Sequence, residues 1–200
     1  MAREKALTHG GEGLGMAGTT VKGEIASSLR GLNEIEAEIV SLVRDTVSNT
    51  LKATGAVADE AVNVTKDVLK GTIQASEEVG ANLVNSTRNV AKGIVMGISD
   101  VSGDVITAAS QTAKGAVKGA ADVGADVAVV ARSAVDGVIE GASEVGGNVV
   151  GVAVAAVRGA IEAAGSLGTT AVTAVRDILV GVEGSVKEVA SAALPKRRSA

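Results

Sequence analysis

The chain has 200 residues, 26 of them Gly, one His and no Cys, Phe, Tyr or Trp, and its apolar 46% is mostly Val and Ala. Without Cys there is no disulfide, thiolate metal site or thiol nucleophile, and the single imidazole of His9 supports no His-rich metal site. A net charge of −4 gives no general basic field for nucleic acid, a mean hydropathy of +0.33 is too high for a disordered chain, and a conventional aromatic core is excluded. The composition therefore predicts a non-enzymatic protein with no metal and no cofactor.

Residues 1–26 read as a flexible Gly-rich arm, with no apolar run that would make a secretory signal. The glycines from Gly10 to Gly15 lack the preceding strand that a phosphate-binding loop requires. Residues 27–194 are periodic: Gly71, Gly93, Gly115, Gly137, Gly159 and Gly181 are spaced by 22 without exception. With each of these glycines as position 1, position 9 is always apolar: Ile35, Val57, Val79, Val101, Val123, Val145, Leu167 and Val189. Position 3 is Leu29, Leu51, Ile73, Val95, Val117, Ile139 and Ile161 before it fails at Glu183. Position 8 is acidic in six of eight copies. Basic residues fall at position 18 (Arg44, Lys66, Arg88, Arg132, Arg176) and position 22 (Lys70, Lys92, Lys114, Arg158). Low complexity alone would not fix the sign of a charge at a fixed phase.

Each unit of 22 contains two related elevens, and eleven residues make three helical turns at about 3.67 per turn. Positions 2, 3, 6, 9, 13, 14, 17, 20 and 21 then share one broad apolar arc, with acidic positions 8 and 19 opposite and the basic positions on a flank. The predicted fold is all-α, a long amphipathic helix or a set of helical hairpins. A β-solenoid of similar period competes, but strict alternation is absent and the eleven-residue subperiod has a direct helical meaning.

Candidate fold-back points are Ser102-Gly103-Asp104, Gly146-Gly147-Asn148 and Gly165 to Thr170, although each keeps the repeat phase, which argues against a built turn. The pairs Gly93/Gly97, Gly115/Gly119 and Gly137/Gly141 are GxxxG spacings on one border of the arc, suited to close helix packing. The small residues of position 10 (Gly80, Gly124, Gly146, Gly168) fall inside the arc. Uncharged runs reach only thirteen residues, Val145 to Val157 and Ala163 to Val175, too short to span a bilayer. Pro195 ends the periodic region, and residues 195–200 form a basic tail.

Segments such as Val90-Ala91-Lys92-Gly93 and Thr112-Ala113-Lys114-Gly115-Ala116-Val117-Lys118-Gly119 resemble the repeats of perilipins. More broadly the pattern resembles the eleven-residue amphipathic helices of synucleins, exchangeable apolipoproteins and group 3 late-embryogenesis proteins. That resemblance implies a cytoplasmic protein lying peripherally on a membrane, lipid droplet or granule. The expected function is thus a surface coat, in which the apolar arc inserts shallowly and the basic flank meets anionic groups of a lipid or polymer surface. A self-assembling structural protein, a homo-oligomer packed through its Gly/Ala strips, is the alternative. A desiccation protectant fits the repeat but not the hydropathy.

Overall fold

The computed structural model describes residues 34–53, 65, 67–73, 82–180 and 182. Contacts divide the chain into Met1–Glu38 and Ile39–Ala200. Residues 34–38 of the first unit are helical, with Ile35 exposed, and all other described residues belong to the second unit. The arm 1–26 and the tail 195–200 lie outside the described residues.

All regular structure among the described residues is helical, and it is broken once per repeat. Helix α1 covers residues 34–53 and α2 includes 67–73. Then come α3 (Leu83–Asp100), α4 (Val105–Val123), α5 (Val127–Glu144), α6 (Val149–Leu167) and α7 (Thr169–Leu179). From α3 to α6 the first residues are 22 apart, so one repeat is one helix plus one turn.

The same turn chemistry recurs at the same phase. At position 12 stand Asn82, Asp104, Asp126 and Asn148, each an N-cap. The amides of Ile106 and Thr107 donate to Asp104 Oδ1 at 2.9 and 3.1 Å, and those of Ala128 and Val129 to Asp126 Oδ1 at 3.0 and 3.1 Å. Each cap satisfies amides that the helix itself leaves unpaired, and the two aspartates add negative charge at the positive helix end.

At the other end the amides of Gly103, Ala125 and Gly147 donate to the carbonyls of Ile98, Ala120 and Ala142, closing three successive Schellman motifs. Such a motif needs one left-handed residue, and position 10 supplies it: Ser102 (φ 56°), Gly124 (φ 76°) and Gly146 (φ 69°). The junction of α6 and α7 differs. Gly168, at φ 122°, alone separates them, and α7 starts without a side-chain cap.

The fold-back points near 102–104, 146–148 and 168 are therefore turns, with a further one at Gly124-Ala125-Asp126. The expectation that an unbroken repeat phase argues against turns is corrected, because the turn is part of the repeat. Position 10 does not sit on a helix face as a packing residue; it reverses the chain.

Contacts follow in the same order along α1 and α3, α3 and α5, and α4 and α6, so these alternate helices run parallel, and the turns between α3, α4, α5 and α6 reverse the chain. Packing is most extensive between α3 and α5 and between α4 and α6, with lesser contact across to sequence neighbours. Odd and even helices thus form two layers, the arrangement of an α-solenoid. Their shared core is aliphatic: Ile94, Val95 and Ile98 of α3, Ala113, Ala116 and Val117 of α4, Ala134, Val135 and Val138 of α5, and Val152, Ala156 and Ala160 of α6 are buried. The apolar arc closes on other helices of the same chain.

Candidate interaction surface

Each interior helix presents two unlike faces to its own layer. One is a strip at positions 19, 1 and 5, successive turns of one helix face. It reads Ser133, Gly137 and Gly141 in α5, and Ala155, Gly159 and Ala163 in α6. The other face, around positions 18, 21, 22 and 3, belongs to the helix two before it.

The approach between these faces is very close. A Cβ on Gly137 would lie 2.2 Å from the Arg88 carbonyl oxygen and 3.0 Å from Ala91 Cβ. One on Gly141 would lie 2.9 Å from the Lys92 carbonyl oxygen, and one on Gly159 2.2 Å from that of Ser110. Gly93 and Gly97 meet the Val40 and Arg44 carbonyls of α1 at 2.8 and 2.6 Å by the same measure, and Gly119 meets the end of Ile73 in α2 at 2.7 Å. Five of the six predicted packing glycines thus stand where a methyl group would collide with the preceding helix of the layer. The sixth, Gly115, lines a groove of about 130 Å³ between α2 and α4, together with Lys70, Lys114, Lys118 and Asp122.

The phased charges connect the same pairs of helices. Arg44 in α1 grips Asp100 in α3 through two hydrogen bonds of 2.6 and 2.7 Å. Arg88 and Lys92 in α3 pair with Glu140 and Glu144 in α5, and Lys114 in α4 pairs with Glu162 in α6 at 2.5 Å. Arg132 instead pairs with Asp136 on its own helix at 2.8 Å and reaches the Ile178 carbonyl of α7 at 3.3 Å. The Arg44 hydrogen bond holds the Asp100 carboxyl below the usual carboxylate range, and the Lys114 hydrogen bond does the same for Glu162. Asp100 and Glu144 are the last residues of their helices, where the helix dipole disfavours an acid, and the opposite cations Arg44 and Lys92 offset that cost.

The remaining sequence-derived residues divide by place. Position 3 is core: Leu51, Ile73, Val95 and Val117 are fully buried, and Ile139 and Ile161 are half-buried. Position 9, expected within the apolar arc, stands at the ends of the helices. Val101, Val123 and Val145 are half-buried there, whereas Leu167 is exposed, as is Ile35. Position 19, predicted opposite the apolar arc, is buried at Asn89 and Ser133 because it faces the preceding helix of its layer. Of the basic flank, Arg88, Lys92, Lys114 and Arg132 form ion pairs within the chain. Lys70 lines the groove, and Arg158 and Arg176 carry no ion pair among the described residues. Leu29, Val57, Lys66, Val79 and Val189 lie outside those residues.

Among the described residues no group of three or more His, Cys, Asp or Glu side chains is placed to hold a metal ion. Helix α6 is long and apolar enough by composition to cross a membrane, with 39% of its apolar window buried in the protein. It carries Arg158 and Glu162, and no other described helix passes that test. No protein family, curated protein or solved structure matches this chain.

Proposed function

We propose that the chain is a non-enzymatic structural protein that self-assembles through its helix-packing strips. The observation that carries this reading is the interface between alternate helices. It joins two unlike faces, and the step that seats Gly137 on Arg88 between α3 and α5 recurs as Gly159 on Ser110 between α4 and α6; an interface of that type can continue for as long as units are added. Charge phases that suggested head-group contacts are used between helices, which moves their support from a coat to an assembly. Sedimentation over a range of concentrations without lipid tests the proposal. A helical protein with a concentration-dependent mass well above 19.6 kDa is expected, and a single 19.6 kDa species throughout refutes it.

A second reading keeps the peripheral coat on a membrane, droplet or granule surface. It draws on the perilipin-like pattern and on the exposed Val150, Val154 and Leu167 of α6. It expects flotation with anionic vesicles or an oil emulsion, and protein that stays at the bottom of the gradient removes it.

A further inference from the structure

Within the even layer, α4 offers its position-18 face to α6: Gly159 lies against the Ser110 backbone. Helix α6 has the same face, but nothing among the described residues covers it. Val154 at position 18 is 63% exposed and Val150 is 48% exposed, with Val157 and Ile161 half-buried beside them. At the other end of the layer the complementary position is open too. Gly71 of α2 is exposed, and a Cβ added there would meet nothing within 4 Å among the described residues.

We infer that the α6 face is the docking site for a second copy of this chain, which seats the Gly71 strip of its α2 on Val154. This rests on the self-assembly proposed above and assigns its interface and polarity: head to tail, through two different faces. Continuity with the interface inside the chain selects this occupant. Gly137 lies on position 18 of α3 and Gly159 on position 18 of α4, so the same step taken from α6 brings Gly71 of the next copy onto Val154.

Charge agrees with that placement. Position 19 lies one turn before the glycine and comes beside the first turn of the helix on which it packs. There α2 carries Asp67 where the later helices of its layer carry Gln111 and Ala155. The first turn of α6 has no acid of its own, and its positive helix end suits an incoming carboxylate. The odd layer does not offer an equivalent pair, because α1 carries exposed Asn49 at the position where α2 carries Gly71.

The test uses two full-length variants at exposed positions, Val154→Glu and Gly71→Leu, with helix content and melting temperature checked first. Each alone is expected to sediment as a 19.6 kDa monomer under conditions where the parent chain is larger. Mixed in equal amounts they are expected to form a dimer and nothing larger, because each retains one intact face. An assembling parent with an unchanged Val154→Glu variant overturns the interface and leaves self-assembly standing. A Gly71→Leu variant that still assembles, beside a monomeric Val154→Glu, overturns the head-to-tail polarity in favour of a symmetric α6 contact. A monomeric parent overturns both readings. If that monomer binds anionic vesicles and Val154→Glu does not, the face belongs to a lipid surface instead.

Discussion

Replacing Gly by Ala inside a helix ordinarily stabilises it by about 1 kcal/mol. At Gly137 the sign is expected to reverse. The added methyl would stand 2.2 Å from a main-chain oxygen, against an ordinary contact of 3.4 Å or more, so α3 must retreat from α5 by over 1 Å. A main-chain atom has no rotamer by which to escape. Such a gap forfeits a quarter to a half of the dispersion energy along the facing strip, and overpacking of this kind costs about 1–3 kcal/mol. With the target in the backbone, the upper half of that range applies, leaving a net loss of about 1–2 kcal/mol after the helix gain. At about 2–4 °C per kcal/mol for a chain of this size, Gly137→Ala lowers the melting temperature by roughly 2–8 °C. Gly165→Ala is the control: it lies in α6 with nothing within 4 Å and is expected to rise by about 2–4 °C. Far-UV circular dichroism is the assay, since the chain has no aromatic fluorophore. If both variants melt higher, α3 and α5 do not meet through glycine, and the two-layer packing is refuted. A lone helix lying on a surface would give that second result.

Ser102 holds at φ 56° a place that Gly fills in the next two turns, so Ser102→Gly should stabilise by about 1 kcal/mol and Gly124→Ala should destabilise by about as much, both read from thermal melts. Asp104 is held below its usual carboxylate range by the Thr107 hydroxyl first, then by the amides of Thr107 and Ile106. A carboxyl depressed in the folded state stabilises above its unfolded pKa of about 3.9 and loses that contribution as pH falls through the folded value. Asp104→Asn, which keeps the cap oxygen but does not titrate, should flatten melting temperature against pH in that acid range, with Asp100 sustaining the remaining slope. The Thr87 hydroxyl is buried without a hydrogen-bond partner among the described residues, so Thr87→Val should be neutral or stabilising by up to about 1 kcal/mol, and a clear loss of stability would show that the hydroxyl is satisfied.

Helix rather than strand, the 22-residue period, the core at position 3 and the close-packing glycines were all legible in the sequence. The broken helix was not, and the reason is geometric. Twenty-two residues make close to six whole helical turns, so a helix plus a turn of this combined length keeps the angular phase of a continuous helix. The telling signal was chemical: Gly124-x-Asp126 and Gly146-x-Asn148 place a left-handed residue two before an N-cap in both units. Burial of Asn89 and Ser133 was hidden for another reason. A helix with neighbours on both sides of its own layer and across to the other layer buries a wider arc than the single stripe of a surface helix. The charges were found at the right phases, but their partners were not, because Arg88 and Glu140 are 52 residues apart and only the return of the chain to the same layer brings them together.

Because direction and layer alternate with every unit, the chain can change its length without error only in pairs. Loss of residues 105–148 would remove α4 and α5 and join Asp104 directly to Val149, so that an Asp cap again precedes a Val at the start of a helix. Each later helix would keep its layer and its direction. Loss of a single unit would instead carry all later helices into the opposite layer and turn their small strips away from the faces built to receive them. Growth and shortening of this protein are thus quantised in steps of two helices, a parity imposed by the turn at position 10 rather than by any residue of the core.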